Sequence, residues 1–334
     1  MSDLFFSNTP APYRTDFAAA LRRAGFRICN MASDDLDFGT FSGRSYLRHP
    51  LELIRSERPS RVIAPEFSLI TLQLATLRKR CGFRLFSLCD DSAEMIAGSD
   101  FSCAHRQARK WIPRMLDGII VHSPDVGDWY REQAGIKSIL MPIVSDDRRI
   151  RPELQRVLPL SERLRPGPKP VVAFVGRMVG LKNVSSLIQA FEPWQDKALL
   201  VIIGDGPLRV ELEKQAPCAL FTGRLSGDEL LAWYNLIDVL VLPSTQEAYG
   251  AVTGEALMAG AKVVVSRKAG SSDLVREGEN GYVVDPLDIA ALTDRIGQLL
   301  DNLSSDRPLA LRENLLPYRF ETCIRNLLEE INAL

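Results

Sequence analysis

The sequence predicts an α/β protein built from two Rossmann-like domains that face each other across a cleft. Two observations carry this prediction. Short apolar runs alternate with longer amphipathic ones along the chain, which is typical of parallel sheets covered by helices. A proline-rich, charged stretch near the middle interrupts the alternation once, and 334 residues are enough for two domains of ordinary size.

The first half contains a series of candidate strands with helical patterns between them. The strands are predicted at Leu4–Phe6, Arg27–Asn30, Arg61–Ala64, Phe83–Leu88, Gly118–His122 and Ser138–Met141. The helices are predicted near 14–24, 46–56, 68–80, 102–116 and 124–134. Together they define a first domain over residues 1–150.

The interruption covers residues 151–170, where prolines stand at positions 152, 159, 166, 168 and 170. Proline at this density breaks regular structure, so a linker is predicted here. The alternation then restarts and gives a second domain over residues 171–317. Its strands are predicted at Val171–Val175, Leu199–Ile203, Ala219–Thr222, Val239–Leu242, Lys262–Ser266 and Tyr282–Val284, and its helices near 183–194, 207–215, 226–236, 251–259 and 288–302. A last helix, about 318–334, is predicted to pack back on the first domain.

Composition indicates a soluble, cytoplasmic protein. Hydrophobic residues make up 46% of the chain, and no apolar run approaches the ~20 residues that span a bilayer. The start of the chain lacks the basic and apolar regions of a secretory signal. The cysteines at 29, 81, 89, 103, 218 and 323 include no Cys-x-x-Cys pair, which favours reduced thiols. The histidines at 49, 105 and 122 are too dispersed for a histidine-based metal site.

The net charge of −1 hides an asymmetry between the halves. Residues 1–168 carry 25 Lys and Arg against 20 Asp and Glu, whereas the remainder carries 16 against 22. This pattern suggests two domains with different partners, although ordinary surface variation accounts for it equally well.

The segment Glu247–Glu255 is the most informative stretch of the chain. It follows a short apolar run and opens an apolar helical pattern, so Glu247 and Glu255 stand on either side of a predicted helix start. Carboxylates form charge-assisted hydrogen bonds with sugar hydroxyls, and helix-start amides bind phosphate. One segment could therefore hold the sugar, ribose and phosphate parts of a nucleotide sugar.

A second candidate segment runs from Gly176 to Lys182, after a predicted strand. Arg177 and Lys182 are one turn apart and can reach the same point. Each would attract a diphosphate with ~4 kcal/mol at 4 Å and an effective dielectric of 20, before desolvation. The alternative is a helix-start loop with solvated cations.

The run Gly204-Asp-Gly206-Pro-Leu-Arg209 resembles a dinucleotide-binding turn only in part. Arg209 stands where the third glycine of the pattern belongs. A lone Gly-x-Gly is a weak signal, so NAD binding is not predicted.

Read in order, these pieces resemble the retaining glycosyltransferase family 4, which has the GT-B fold, most strongly over residues 171–302. The matching motifs are Phe174-Val-Gly-Arg177, Leu181-Lys-Asn183, Ile203-Gly-Asp-Gly-Pro207, Phe221-Thr-Gly-Arg224, Val241-Leu-Pro-Ser244, Glu247-x7-Glu255, Glu255-Ala-Leu-Met-Ala-Gly260, Val263-Val-Val-Ser266, Gly270, Asp273-Leu-Val275, Gly278, Asn280-Gly-Tyr-Val-Val284 and Pro286.

The resemblance implies a role for each matched position. Arg177 and Lys182, beside the Gly176 turn, would bind the donor diphosphate. Glu255 would bind the ribose hydroxyls, and Glu247 the transferred sugar. The amides of Gly250, Ala251 and Val252 would meet phosphate and sugar, while Gly223, Arg224 and Leu225 would lie beside the base. For both glutamates the alternative is an acid that is merely favoured near a helix start.

The resemblance further implies transfer of a hexose-type sugar, with retention, from a UDP- or GDP-sugar type of donor to a hydroxyl of a glycan or lipid-linked glycan. Bacterial polysaccharide or lipopolysaccharide synthesis would be the setting. No metal and no further cofactor are expected, and the second half has no Asp-x-Asp at a strand end. A nucleotide-sugar epimerase of similar fold and a catalytically silent partner subunit remain alternatives.

The first half carries two more candidate segments. Asn8-x-Pro10-x-Pro12-Tyr13-Arg14 looks like the opening of one branch of the family, so Pro12, Tyr13 and Arg14 are predicted on the acceptor side or at the donor phosphate. Cys89 stands where many relatives have a histidine that meets the donor sugar. Asp90 and Asp91 follow it and are predicted to orient the acceptor hydroxyl, with helix capping as the alternative.

A basic pattern in the first half suggests peripheral contact with the inner membrane. Arg78-Lys79-Arg80 ends one predicted helix, and a second helix carries the basic residues His105, Arg106, Arg109, Lys110 and Arg114 around Trp111. Such a helix can lie on anionic lipid, or it can be a solvated face packed on the sheet. No nucleic-acid-binding module is recognised.

Overall fold

The computed structural model describes residues 2–7, 14–30, 43–92, 96, 103–304 and 308–334. These residues form two compact units. The first runs to Pro142 and also includes Glu321–Leu334, and the second is Ile143–Phe320. Each unit contains one six-stranded sheet whose pairings are parallel, which confirms the predicted α/β class.

The first unit has the strand order β2-β1-β3-β4-β5-β6. Its strands are β1 (Asp3–Ser7), β2 (Phe26–Asn30), β3 (Arg61–Pro65), β4 (Arg84–Leu88), β5 (Gly118–Val121) and β6 (Ser138–Leu140). Its helices are α1 (Arg14–Arg23), α2 (Gly43–Glu57), α3 (Leu69–Cys81), α4 (Cys103–Trp111) and α5 (Pro124–Ala134). The C-terminal helix α13 (Phe320–Ala333) belongs to this unit except for its first residue, and the Asn332 carbonyl accepts a 3.0 Å hydrogen bond from Arg84 Nη1.

The second unit has the strand order β12-β11-β10-β7-β8-β9. Its strands are β7 (Val171–Val175), β8 (Leu199–Ile203), β9 (Leu220–Gly223), β10 (Val239–Leu242), β11 (Lys262–Ser266) and β12 (Gly281–Val284). Its helices are α6 (Asp147–Arg156), α7 (Leu158–Leu164), α8 (Val184–Phe191), α9 (Arg209–Gln215), α10 (Gly227–Leu236), α11 (Ala251–Met258) and α12 (Ile289–Asp301). Every residue of β7 and β10 is buried, as expected for strands covered on both faces.

Most of the predicted linker is helical. Residues 147–164 form α6 and α7, which belong to the second unit. Asp146 caps α6 by accepting a 3.1 Å hydrogen bond from the Arg148 amide, and Pro159 lies in the first turn of α7, where no amide donor is needed. The prolines from 166 to 170 do lie in irregular chain, so proline density indicated the interruption correctly only at its end.

Each sheet has one position between two interior strands where the order in which the strands are added reverses, here called the reversal point. In the second unit the chain runs from β7 outward to β9 and then returns to β10 on the other side of β7. In the first unit the same reversal separates β1 from β3. The loops beyond the carboxyl ends of strands diverge at such a point, which makes it the usual ligand position in open parallel sheets.

No helix in the described ranges combines the length and apolarity that a bilayer crossing requires.

Close backbone packing explains the Gly204-x-Gly206 pattern. A Cβ atom on Gly204 would lie 1.9 Å from the Gly176 carbonyl oxygen, and one on Gly206 would lie 2.4 Å from that of Met178. Gly204 also has φ +136°, which is open to glycine but strained for other residues. The two glycines therefore let the loop after β8 pack on the loop after β7, a structural requirement that needs no dinucleotide.

We predict that Gly204→Ala destabilises the second unit by about 2–3 kcal/mol, because the methyl group meets backbone and the φ value is strained. Urea unfolding measures the change. Gly180→Ala is the matched control, since among the described residues no atom beyond its own chain neighbours lies within 4 Å of its Cβ position, and its φ is not positive. Equal midpoints for the two variants would contradict this explanation of the motif.

Candidate functional site

The loops that follow β7 and β10 are hydrogen-bonded to each other at the reversal point of the second sheet. The Thr245 amide donates to the Leu181 carbonyl at 2.9 Å, and the Thr245 hydroxyl donates to the same oxygen at 3.3 Å. Lys182 is the next residue after Leu181, and Glu247 lies two residues beyond Thr245. Backbone pairing thus brings the two predicted segments to one place.

Lys182 and Glu247 form an ion pair there. Lys182 Nζ donates to Glu247 Oε2, and the buried Ser244 hydroxyl lies 3.4 Å from the same oxygen. The side chains remain 23% and 13% exposed, so both are accessible from solvent. An accessible ion pair beyond the carboxyl ends of the strands can exchange partners when a ligand brings an anionic group to the lysine and hydroxyl groups to the glutamate.

Helix α11 begins directly beside this pair. Gly250 precedes it with φ +89°, and a Cβ atom there would lie 2.5 Å from Leu242 Cδ2 and 3.3 Å from Glu247 Cγ. Glycine is therefore required to turn the chain into the helix. The amides of Ala251 and Val252 belong to the first turn, where helix N–H groups have no partner within the helix and favour anions.

Glu255 lies about 6 Å farther along the axis of α11 than Ala251. Its Oε2 accepts a hydrogen bond from the hydroxyl of Tyr234, which is fully buried on α10. Burial raises the pKa of Glu255, and the Tyr234 hydrogen bond lowers it in part. Burial and the neighbouring Glu255 raise the pKa of Tyr234 well above its usual value. The predicted charged groups of the donor site were Arg177, Lys182, Glu247 and Glu255. Lys182 and Glu247 contact each other, whereas Glu255 is hydrogen-bonded to Tyr234.

The remaining predicted donor-side residues lie at the same carboxyl edge without direct contact to the ion pair. Arg177 is exposed after β7, and Arg224 is exposed after β9. Neither has a polar partner in the part of the chain that the structure describes. Gly223 has φ +77°, and its carbonyl accepts a 2.9 Å hydrogen bond from the Gly204 amide. Gly176 lies in the loop after β7 and Leu225 in the loop after β9, and both residues are half-buried.

Both carboxylate oxygens of Asp91, in the first unit, accept hydrogen bonds within a buried network. Its Oδ1 accepts from Arg109 Nη2 at 2.6 Å, and its Oδ2 accepts from Arg109 Nε at 2.9 Å and from the Tyr130 hydroxyl at 2.5 Å. The Cys89 thiol lies 3.2 Å from Oδ2, and burial raises the pKa of that thiol. Asp91 is 7% exposed, so a role in orienting an acceptor hydroxyl does not fit its geometry. The same network explains Cys89, because the position is fully enclosed.

Asp90 has more accessible surroundings. Its side chain is 25% exposed, and it accepts hydrogen bonds from Arg14 and from His122 Nε2, the latter at 2.9 Å. The other His122 nitrogen, Nδ1, faces the Met141 carbonyl at 2.7 Å. The Asp90 carboxyl group therefore lies between the Arg14 guanidinium and the His122 ring.

The predicted acceptor-side loop is only partly described. Pro12 and Tyr13 lie outside the described residues, as do Asn8 and Pro10. Arg14 is described, and its buried side chain reaches Asp90.

The basic pattern of α4 is divided rather than continuous. Arg109 points inward to Asp91, while Arg114 stacks 4.9 Å from the centre of the Trp111 ring, which is 60% exposed. Lys110 is exposed, and the side chains of His105 and Arg106 lie outside the description. Arg109 is therefore not part of the basic face that the sequence predicted for this helix.

Among the described residues, no group of three or more His, Cys, Asp or Glu side chains is arranged to hold a metal ion.

Comparison with known proteins finds a family model that matches most of the second unit. Residues 169–302 match the family model Glycosyl transferases group 1. Sulfoquinovosyl transferase SQD2 of Arabidopsis thaliana is 36% identical over 137 residues, or 40% of this chain and 27% of that protein. A GDP-mannose-dependent alpha-mannosyltransferase of Corynebacterium glutamicum is 38% identical over 122 residues, or 36% of this chain and 29% of that protein. The matches thus span less than a third of either relative.

The crystal structure of Anabaena Alr3699/HepE in complex with UDP superposes with a TM-score of 0.78 at 17% identity, covering 100% of both chains. The fold is therefore that of the GT-B glycosyltransferases. Residues 169–302 are similar to the glycosyl transferases group 1, in agreement with the resemblance seen in the sequence, and the expected GT-B fold is confirmed.

Sequence reasoning missed the residues that hold the predicted ones in place. Tyr234, Tyr130 and His122 were not proposed for these sites, although His122 is the last residue of a predicted strand and directly follows the observed strand β5. A residue at the carboxyl end of a strand is a candidate on position alone, and that signal could have found His122. Tyr234 gives no such signal, because it lies inside a helix and its partner is 21 residues away.

We predict that Asp91→Asn destabilises the first unit by about 3–5 kcal/mol, because it leaves Arg109 buried without its counterion. Urea unfolding again measures the effect. The same change at the exposed Asp228, paired with Arg156, should leave the free energy of unfolding nearly unchanged. If Asp91→Asn unfolds at the wild-type midpoint, the buried network does not stabilise this unit.

Proposed function

We propose that this protein is a retaining glycosyltransferase that moves a hexose-type sugar from a nucleotide-diphosphate sugar to a hydroxyl group. The observation that carries the proposal is the convergence of Lys182, Glu247 and the Gly250 helix start at the reversal point between β7 and β10. A cation, a carboxylate and a helix N-terminus at one edge suit a ligand that combines a diphosphate with a sugar.

Donor binding would begin with an exchange of partners. In the structure Lys182 is neutralised by Glu247. An arriving diphosphate would draw Lys182 to its oxygens, with the first amides of α11 and the exposed Arg177 as further donors. Glu247 would then be released to accept hydrogen bonds from hydroxyls of the transferred sugar. Lys182 and Arg177 would stabilise the charge that develops on the leaving diphosphate.

The chemical step would need no covalent protein intermediate. The bond between the anomeric carbon and the donor phosphate oxygen breaks while the acceptor oxygen bonds to the same face of that carbon. The acceptor proton passes to a donor phosphate oxygen, and the nucleoside diphosphate leaves. In the first unit, Asp90 with Arg14 remains the candidate for the acceptor side, and Asp91 does not. No metal or additional cofactor is part of this proposal.

The similar proteins support a nucleotide-sugar donor. The neighbouring Anabaena structure holds UDP, and a related complex of the same protein holds UDP-glucose. The Corynebacterium glutamicum relative is named for GDP-mannose. We therefore propose a UDP- or GDP-sugar as donor and a glycan or lipid-linked glycan of bacterial polysaccharide or lipopolysaccharide synthesis as acceptor. The described cysteines at 29, 81, 89, 218 and 323 are not in disulfides, which supports a reducing, cytoplasmic setting.

The two rival functions make different demands. An epimerase would convert the nucleotide sugar without an acceptor, whereas a transferase releases nucleoside diphosphate with transfer or slow hydrolysis. A silent subunit would not need an accessible Lys182–Glu247 pair beside a glycine-started helix. Product analysis with nucleotide sugar alone and with acceptor separates all three.

We predict that one class of nucleotide sugar raises the thermal midpoint of the purified protein. A ligand at a hundredfold excess over its dissociation constant stabilises the native state by about 2.7 kcal/mol. The panel is UDP-, GDP-, ADP- and dTDP-sugars, and the best ligand is then assayed for release of nucleoside diphosphate. Glu247→Gln should lower kcat/KM by about 100-fold, or about 2.7 kcal/mol, because the sugar loses a charged acceptor.

Glu153→Gln is the control for that variant, since it makes the same change in an exposed pair with Arg149 on α6. Its kcat/KM and thermal midpoint should match those of the wild type. Wild-type activity in Glu247→Gln, or no response to any nucleotide sugar, would overturn the proposed function.

A further inference from the structure

We propose that Tyr234 is a positioning residue that fixes the Glu255 carboxylate for the two hydroxyls of a ribose. The inference rests on the proposed function and extends it, because it names a residue that would make the site select ribonucleotides. Tyr234 acts through Glu255 and does not itself touch the ligand.

The geometry divides the two oxygens of Glu255 between protein and ligand. Oε2 accepts from the Tyr234 hydroxyl. For Oε1 the described residues offer no donor. A carboxylate anchored through one oxygen has a fixed orientation, and the other oxygen remains for an incoming donor. Glu255 is half-buried on the helix that begins beside the Lys182–Glu247 pair, one turn from the proposed phosphate position.

Two arginines tie together the helices that carry Tyr234 and Glu255. Arg312 donates to the Tyr234 carbonyl at 3.0 Å and to the Ala259 carbonyl at 3.1 Å, just after the end of α11. Arg151 donates to the Met258 carbonyl at 3.0 Å, and also to the Arg312 carbonyl at 2.9 Å. Cations at helix C-termini satisfy the last carbonyls and suit the helix dipole. The Tyr234–Glu255 pair is thus held on two helices with a common anchor.

The charge state of Glu255 gives the hydroxyl a second role. Burial raises the pKa of Glu255 and so disfavours the ionised form, whereas the hydrogen bond from Tyr234 favours it. Only the ionised carboxylate keeps Oε1 purely an acceptor, whose two lone pairs can accept from both hydroxyls of a vicinal diol. Tyr234 therefore keeps Glu255 charged as well as oriented.

The alternative is a purely structural role, in which Glu255 serves Tyr234 by accepting the hydrogen bond of a buried tyrosine hydroxyl. That role predicts changes in stability alone. The positioning role predicts a change that depends on the hydroxyls of the ligand.

The test compares ribonucleotides with their 2′,3′-dideoxy counterparts by isothermal titration calorimetry. The probes are UDP, GDP and ADP, each paired with its dideoxy analogue. Wild-type protein should bind its preferred ribonucleotide at least about tenfold more tightly than the analogue, since charged hydrogen bonds are lost. In Tyr234→Phe the ribonucleotide should bind about tenfold more weakly, while the dideoxy affinity stays within about twofold of the wild type.

The pH dependence is a second readout. Affinity for the ribonucleotide should fall as pH drops through the raised pKa of Glu255. Removal of the hydroxyl takes away a donor that favours the charged form, so in Tyr234→Phe this fall should occur at higher pH. The dideoxy analogue should show neither the fall nor its displacement.

Tyr130→Phe is the matched control, because it removes another buried hydroxyl that donates to a carboxylate, in the first unit. It should alter thermal stability without changing the ribose preference. An equal loss of both affinities in Tyr234→Phe, or no loss, overturns the positioning role.

Failure of the broader proposal looks different. Tight binding of ribo and dideoxy nucleotides alike by wild-type protein overturns the positioning role and leaves a nucleotide site in place. Absence of binding to all six probes overturns both proposals.

Discussion

The candidate site depends on one contact, the hydrogen bonding of Thr245 to the Leu181 carbonyl at the reversal point between β7 and β10. Strands β7 and β10 are neighbours in space but far apart in sequence, so their loops meet only because the chain returns to the other side of β7. Lys182 and Glu247 become an ion pair as a result. The close packing of Gly204 and Gly206 on the β7 loop holds the opposite side of that loop and leaves it little freedom.

The acidic groups differ because their surroundings differ. Glu247 is paired with Lys182, a flexible side chain, and both remain partly exposed, which suits exchange with a ligand. Glu255 is partly buried and fixed by a tyrosine, which suits a constant hydrogen-bonding partner. In the first unit Asp91 is enclosed by Arg109 and Tyr130, whereas its neighbour Asp90 stays partly exposed between Arg14 and His122. Adjacent carboxylates in one sequence motif can therefore have unrelated roles.

The sequence contained much of this arrangement. The strands were predictable because buried parallel strands are continuous apolar runs, and the glycines and charges at their ends marked the loops. Helices α6 and α7 were not predicted, because Pro152 inside α6 and Pro159 in the first turn of α7 resemble the prolines of a linker. The partners of the site residues were not predicted either. Tyr234 reaches Glu255, and Arg109 reaches Asp91, through tertiary packing that no local pattern encodes.

A crystal structure of the protein with its preferred nucleotide sugar tests the proposed donor site directly. We expect diphosphate oxygens within hydrogen-bond distance of Lys182 Nζ and of the first amides of α11. We also expect the ribose hydroxyls to contact Glu255, and Glu247 to have turned from Lys182 to the sugar. A nucleotide bound away from the reversal point between β7 and β10, with the Lys182–Glu247 pair undisturbed, would contradict the proposed site.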